Sequence, residues 1–475
     1  MKIAMVASEA NPLIKTGGLG DVVYSLGKEL VKLGDEVVIV MPYYRQIKAK
    51  NIETELVSSF FTHLSWRTQE VLVYKTKIEG MTYYLVDNNQ YFNRDKVYGY
   101  FDDGERFAFF TTACETLFLQ INFKPDVIHV HDWQVGMLPC LVKENGNPFY
   151  KNTYFVYTIH NYAFQGLLPQ ICLNDFYALP EYLFESGKVR FKDQFSTLKT
   201  GIVYADKITT VSPNHRNELL TPEGSMGLDG VLRLREWDFS GIVNGIDIDE
   251  FDPQKDQKIF NYNIKSFKKG KEENKRILLE TFHLPNDTEA PVYGLVSRLT
   301  WQKGMDLVFA AIDALARRGA KICILGSGEY ELEQRLEYIR SQYPNNVGIY
   351  IGYSDEIAHK VYAGSDFFMM PSLFEPCGIG QMIAQRYGTL PIVREVGGLK
   401  DTVISYNGNN EDVSTGFGFI YYDEPSMINT CFQAFDVYLD KNLKNKLALN
   451  AMKVDNSWSN SAKKYQELYH GFLKK

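Results

Sequence analysis

Short apolar runs alternate with stretches of helical spacing along both halves of the chain. Residues 3–7 read as a buried strand, 21–33 as a helix that stops at Gly34, and 37–41 as a second strand. Apolar runs at 127–130, 154–158 and 207–211 continue the series. This is the rhythm of strand–helix–strand units, so the first half predicts a parallel sheet covered by helices. The pattern restarts after Asn244. Residues 291–297 read as a strand, 305–317 as a helix and 321–325 as a strand, with further strands at 347–351, 367–370 and 390–393. The second half therefore predicts a second parallel sheet.

The break falls near 241–252, where Gly, Asn, Asp and Pro cluster. The expected division is 1–243, then 244–455, then a terminal segment 456–475. In open sheets of this kind ligands bind beyond the carboxyl ends of the strands, so the loops there carry the functional reading.

Composition narrows the class. At 475 residues the chain is long for one core, and 45% apolar with 23% charged residues is ordinary globular composition. A net charge of -7 with no basic stripe argues against nucleic acid as a partner. The densest basic run, 265–271, lies beside Glu272 and Glu273 and reads as a solvated helix face. The six cysteines form no CxxC pair and read as reduced thiols. With no signal peptide or membrane-spanning run apparent, the expected location is the cytoplasm. Thirty-one Tyr and 30 Phe could supply stacking platforms for sugars, although most such rings pack cores.

Three loops stand where chemistry is expected. Lys15-Thr16-Gly17-Gly18-Leu19-Gly20-Asp21 links the first strand to the first helix. It suits close approach to a phosphate or sugar, and equally a tight turn. It lacks the Gly-Lys-Ser/Thr of a phosphate-binding Walker loop. The second strand is followed by Pro42-Tyr43-Tyr44, not the acidic residue of a dinucleotide site. In Ser297-Arg298-Leu299-Thr300-Trp301-Gln302-Lys303-Gly304 two cations stand five apart after a strand, which suits a diphosphate or simply an exposed loop. In the third loop, 371–382, Glu375 is expected to project from a strand end, with amides near Gly378 and Gly380 turned toward an anion. A capping role is the plainer reading of that carboxylate. His129-Val130-His131-Asp132 could offer metal ligands, but no further ligand cluster accompanies it, and no metal is expected.

Taken in order, these loops resemble the bacterial glycogen synthase and plant starch synthase family over nearly the whole chain. The resemblance is carried by 15–21, His131-Asp132-Trp133, His160-Asn161, Gly241-Ile242-Val243-Asn244-Gly245-Ile246-Asp247, Ser297-Arg298-Leu299, Gln302-Lys303-Gly304 and Glu375-Pro376-Cys377-Gly378. It implies an α/β chain of GT-B fold, two Rossmann-like domains facing across a cleft, with a last helix crossing back to the first domain. It implies glucose transfer from ADP-glucose to the non-reducing end of an α-1,4-glucan with retention of configuration, and no cofactor. The family's catalytic roles fall on Glu375, Arg298, Lys303 and His160. Donor contacts fall on Lys15, Gly18, Asp132, Asn161, Asn244, Tyr353, Cys377, Gly378, Ile379 and Gly380, and acceptor contacts on Trp133 and Asp21.

The chain departs from the family at Gln134, where His is usual, at Gly380, where Thr is usual, at Ile379 in place of Leu, and at Ser225, where an aromatic is common. No second carboxylate is placed as a nucleophile, which favours a front-face reaction assisted by the departing phosphate. Two rivals share the sequence features in part. One is a transferase of the same fold using a UDP-sugar and a small or lipid acceptor. The other is a glucan-binding protein without catalysis, which would have no use for Arg298 and Lys303.

Overall fold

A computed structural model describes residues 1–473. The chain divides into two compact units. One comprises Met1–Ile242 with the terminal helix Trp458–Leu473, and the other comprises Val243–Ser457. Among the described residues no helix is long and apolar enough to cross a membrane.

The first unit is built on a nine-stranded sheet. From one edge the strands run Phe239–Gly241, Lys207–Thr210, Tyr154–Ile159, Val127–His131, Lys2–Val6, Glu36–Pro42, Met81–Asp87, Arg67–Ile78 and Glu55–Leu64. The first seven pair in parallel, and central strands such as Lys2–Val6 and Glu36–Pro42 are buried along nearly their whole length, as in a sheet covered on both faces. Strand order reverses between Lys2–Val6 and Val127–His131, which pair with Ile3 opposite Val127. Loops leaving those two strands diverge there and open a crevice, the usual ligand position in such sheets.

The last two strands differ from expectation. Arg67–Ile78 is antiparallel to both neighbours. Neither this hairpin nor Met81–Asp87 stands out in the sequence, because these strands are only partly covered and their apolar runs are broken by polar residues. Glu79 and Gly80, at φ 50° and 81°, make the tight turn into Met81–Asp87.

The terminal helix completes this unit. Tyr465 and Tyr469 are fully buried, and Phe472 stacks on Tyr154 with ring centroids 4.4 Å apart. Gln466 donates to Asp35 at 2.8 Å.

The second unit carries a six-stranded parallel sheet in the order Val347–Ile351, Lys321–Gly326, Val292–Val296, Phe367–Met370, Leu390–Arg394, Phe417–Phe419. Its order reverses between Val292–Val296 and Phe367–Met370. The loops bearing Arg298, Lys303 and Glu375 leave the sheet at that point. The basic run at 265–271 is not wholly a solvated face. It enters helix Phe267–Thr281, and Lys268 and Lys269 are exposed, but Lys271 is buried. Its ammonium donates to the Ser365 carbonyl at 2.6 Å and to Thr389 Oγ1 at 2.5 Å. Lys271 lies one helical turn after buried Phe267, so helical spacing places it on the inner face.

Candidate active site

In the second unit the strand-end loops lock together around one ion pair. Lys303 Nζ lies 2.5 Å from Glu375 Oε2, with the two side chains 19% and 9% exposed. Ser372 Oγ donates to the same oxygen at 3.0 Å. Gly304 takes φ 73°, and a Cβ there would meet the Pro371 carbonyl at 2.1 Å, so the lysine loop packs flush on the glutamate loop. The Leu373 amide donates to the Gln302 carbonyl at 2.9 Å. Arg298, at the head of the same loop, is exposed.

Behind Glu375 stands a feature that the sequence reading missed. Gly397 has φ 45°, and a Cβ on it would lie 1.9 Å from the Glu375 carbonyl. The Gly398 amide donates to that carbonyl at 3.1 Å. The only sequence signal is a Gly-Gly pair after the strand Leu390–Arg394.

Asn244 and Cys377 meet in this unit. Burial pushes the Cys377 thiol up to about 12, against the opposing influence of the Asn244 amide, so it stays protonated and unreactive. Asn244 is buried, and its Oδ1 has no hydrogen-bond partner, an orphan that a ligand hydroxyl can satisfy. Gly378 has φ 74°. Ile379 caps the short helix Gly380–Arg386. A Cβ on Gly380 would press on the Phe368 ring at 3.0 Å and approach Met370 Sδ at 3.4 Å, so the usual Thr requires those side chains to shift. Tyr353 follows Gly352 on a loop of its own, is 84% exposed, and bonds to none of these residues.

The first unit gathers a different set. Asp132 holds φ 61°, a costly backbone for a residue with a Cβ. Its amide donates to the Thr158 carbonyl at 3.0 Å, and its Oδ1 accepts the His160 amide at 2.7 Å. Burial raises its carboxyl to about 7. Glu9, also missed, is buried nearby. Its Oε2 accepts the Thr16 amide at 2.7 Å and hydroxyl at 2.8 Å, and burial raises its pKa. It thereby fixes the glycine loop.

Helix Gly18–Lys32 starts inside that loop, with open space around Gly17 and Gly18. Lys15 and Asp21 are paired at 3.0 Å, and Asn11 also donates to Asp21 at 3.0 Å. Asn161 Oδ1 accepts the Ala163 amide at 2.9 Å. Trp133 packs edge-on against Phe107 and lines an open cavity of about 550 Å³ with Phe101, Phe164, Leu167 and Met226. Gln134 is turned into the core, and Ser225 bonds to the Thr221 carbonyl at 2.9 Å.

His129 and His131 are fully buried on one face of their strand, and His131 bonds to His160 at 3.1 Å. Burial lowers all three pKa values, to about 3 for His129 and His160, so the rings are neutral at neutral pH.

Among the described residues one cluster could hold a metal, Glu250 with Asp355 and His359. An ammonium already occupies that role. Lys258 pairs with Asp355 and lies 3.3 Å from His359 Nε2, while His359 Nδ1 is committed to Asp256 at 2.7 Å.

Comparison with known proteins agrees along the whole chain. The family "Starch synthase catalytic domain" matches residues 2–234, and "Glycosyl transferases group 1" matches 279–424. A glycogen synthase of Clostridium kluyveri is 43% identical, covering 100% of both chains. One of Streptococcus agalactiae is 42% identical over 99% of each. The catalytic domain of starch synthase IV from Arabidopsis thaliana, solved with ADP and acarbose, superposes with TM-score 0.90 at 31% identity, covering 100% of this chain and 99% of that one. A sucrose-phosphate synthase from Thermosynechococcus elongatus shares the fold at TM-score 0.61 and 16% identity, covering 100% of this chain and 99% of its own.

The neutral histidines carry a signature in acid. Their folded pKa values lie below the unfolded value of about 6.5, so the unfolded chain binds more protons in that window. Their contribution is complete above pH ~6.5 and is lost as pH falls toward about 3. Asp132, raised instead, acts in the opposite sense between about 7 and the unfolded value near 3.9. His129→Asn is expected to reduce the slope of stability against pH between roughly 6 and 4 by about 1.4 kcal/mol per pH unit, one proton's worth. Urea midpoints measured across that range check this, and an unchanged slope contradicts it.

Proposed function

The chain belongs to the glycogen and starch synthase family, and from that membership we propose that it extends α-1,4-glucans with glucose from ADP-glucose, retaining the α configuration. It is a glycosyltransferase of GT-B fold. The observation that carries the finer reading is the Lys303–Glu375 pair, which sets a cation and a carboxylate side by side where the second unit's strand order reverses.

Breaking the anomeric C–O bond leaves negative charge on the departing diphosphate. Arg298 and Lys303 are assigned to that charge, and Lys303 exchanges Glu375 for phosphate when the donor enters. A preorganised contact of this kind contributes about 3–4 kcal/mol to lowering the barrier. Glu375, freed of its lysine, and Asn244, with its unpartnered Oδ1, are assigned to glucose hydroxyls, as are His160, Asn161 and Asp132 of the first unit. The amides around Gly378, Ile379 and Gly380, beside Cys377, are assigned to the sugar and phosphate edge, and Lys15 and Gly18 to the donor.

In the front-face reading the glucan 4-hydroxyl attacks C1 from the side the phosphate leaves. The C1–O bond to phosphate breaks as the new C1–O4 bond forms, and the hydroxyl proton passes to the leaving phosphate oxygen. The protein's part is to hold the reactants and absorb charge.

Tyr353, exposed at a strand end, is assigned to stacking on the base of the donor, and an adenine nucleotide there is supported by the relative solved with ADP. The aromatic cavity beside Trp133, with Phe101 and Phe164 exposed at its rim, supports a glucan acceptor rather than a small one. Asp21, beside Lys15, is the carboxylate offered to that acceptor.

Labelled ADP-glucose is expected to enter glycogen with a higher specificity constant than UDP-glucose, and equal constants overturn the donor assignment. No incorporation from either donor overturns the transfer reading itself. Arg298→Ala and Lys303→Ala are each expected to cut turnover at least about a hundredfold, as loss of a transition-state charge contact does, with circular dichroism unchanged. Folded variants that turn over near the normal rate contradict the diphosphate roles.

A further inference from the structure

His131 is held between two other rings. His129 stacks on it with centroids 4.1 Å apart, and His160 stacks at 5.4 Å. His131 Nδ1 lies 3.1 Å from His160 Nε2, while its own Nε2 is buried with no hydrogen-bond partner. Each ring is neutral and carries one N–H. One hydrogen therefore lies between Nδ1 of His131 and Nε2 of His160, and two arrangements are available.

If His160 donates, His131 must carry its hydrogen on Nε2, leaving a buried N–H with no acceptor. If His131 donates, the buried Nε2 is only a bare lone pair. Orphaned buried N–H groups are the rarer and costlier defect, so the second arrangement wins. The hydrogen of His160 is then on Nδ1. That atom bonds to no described residue, and His160 is half-buried, so Nδ1 is the ring atom left for a ligand.

We propose that His131 is a positioning residue that fixes His160 in the Nδ1–H tautomer, so that His160 offers a hydrogen-bond donor to an oxygen of the bound sugar. This rests on the proposed role of His160 at the glucose. A donor here suits a sugar oxygen, which can accept. The support extends further back. His129 is pinned at both nitrogens, by the Tyr469 hydroxyl at 2.7 Å and by Thr158 Oγ1 at 2.5 Å. Tyr469 belongs to the terminal helix, so that helix backs the histidine stack from behind.

The test reads ring nitrogens directly. Long-range ¹H–¹⁵N spectra of the full chain, ligand-free at neutral pH and with its eight histidines labelled, report each tautomer. His160 is expected as Nδ1–H, and an Nε2–H signal for it overturns the proposal. Two near-isosteric variants then separate positioning from packing. His131→Asn keeps an N–H where Nδ1 stands, and is expected to hold the tautomer. His131→Leu removes it, and is expected to release His160 toward Nε2–H and lower kcat/KM for the donor roughly tenfold, the usual scale for loss of an orienting contact. Equal loss in both variants overturns the proposal. The wild-type spectrum decides even if His131→Leu does not fold. Because that spectrum needs no substrate, the tautomer can fail while glucose transfer stands. Transfer can likewise fail while the tautomer is as expected.

Discussion

The ammonium of Lys303 lies 2.5 Å from a carboxylate oxygen of Glu375, and both are largely withdrawn from water. Charges so placed are costly unless paired, and removing one partner strands the other. The backbone around them exists to hold that distance. Gly304 lets one loop lie flush on Pro371, and Gly397 and Gly398 let another lie flush on Glu375 and Cys377. The helices and strands of the second unit present three loops, and the pair fixes two of them relative to each other. In the proposed reaction a diphosphate meets a cation already held in place by that pair, which limits the reorganisation left for the reaction itself.

The first unit works by the opposite means. Burial acts on its polar groups instead: it lowers the pKa values of three histidines and raises those of Asp132 and Glu9. Asp132 sits at a positive φ that nothing local favours, held by the Thr158 carbonyl and the His160 amide. Such strain is retained where surrounding structure over-determines it, which is common at sites that bind. The second unit thus presents a paired cation and carboxylate at its strand ends, and the first presents buried polar groups of defined geometry.

Much of this was legible in the sequence for a physical reason. Strands buried on both faces of a parallel sheet read as continuous apolar runs, so 3–7, 291–297 and 367–370 stand out, and the glycine, cation and glutamate loops follow them in turn. The hairpin Glu55–Ile78 did not stand out, because half-covered edge strands carry too many polar residues. A count of charges in the run hides Lys271, which the helical period carries inward. Gly397 and Glu9 were invisible for another reason. Their roles lie in contacts with residues 375 and 16, which only the folded chain brings close. The tautomer of His160 is likewise a property of three stacked rings and not of any motif.

The central claim is that Glu375 holds Lys303 until a diphosphate takes its place. Calorimetric titration of ADP into the wild type and into Glu375→Gln tests it most directly. The variant keeps the size of the side chain but removes the competing charge, so Lys303 is free from the outset. Glu375→Gln is expected to bind ADP more tightly than the wild type while transferring glucose far more slowly. Weaker ADP binding by a folded Glu375→Gln would contradict it, since the carboxylate would then be supporting the nucleotide and not competing with it.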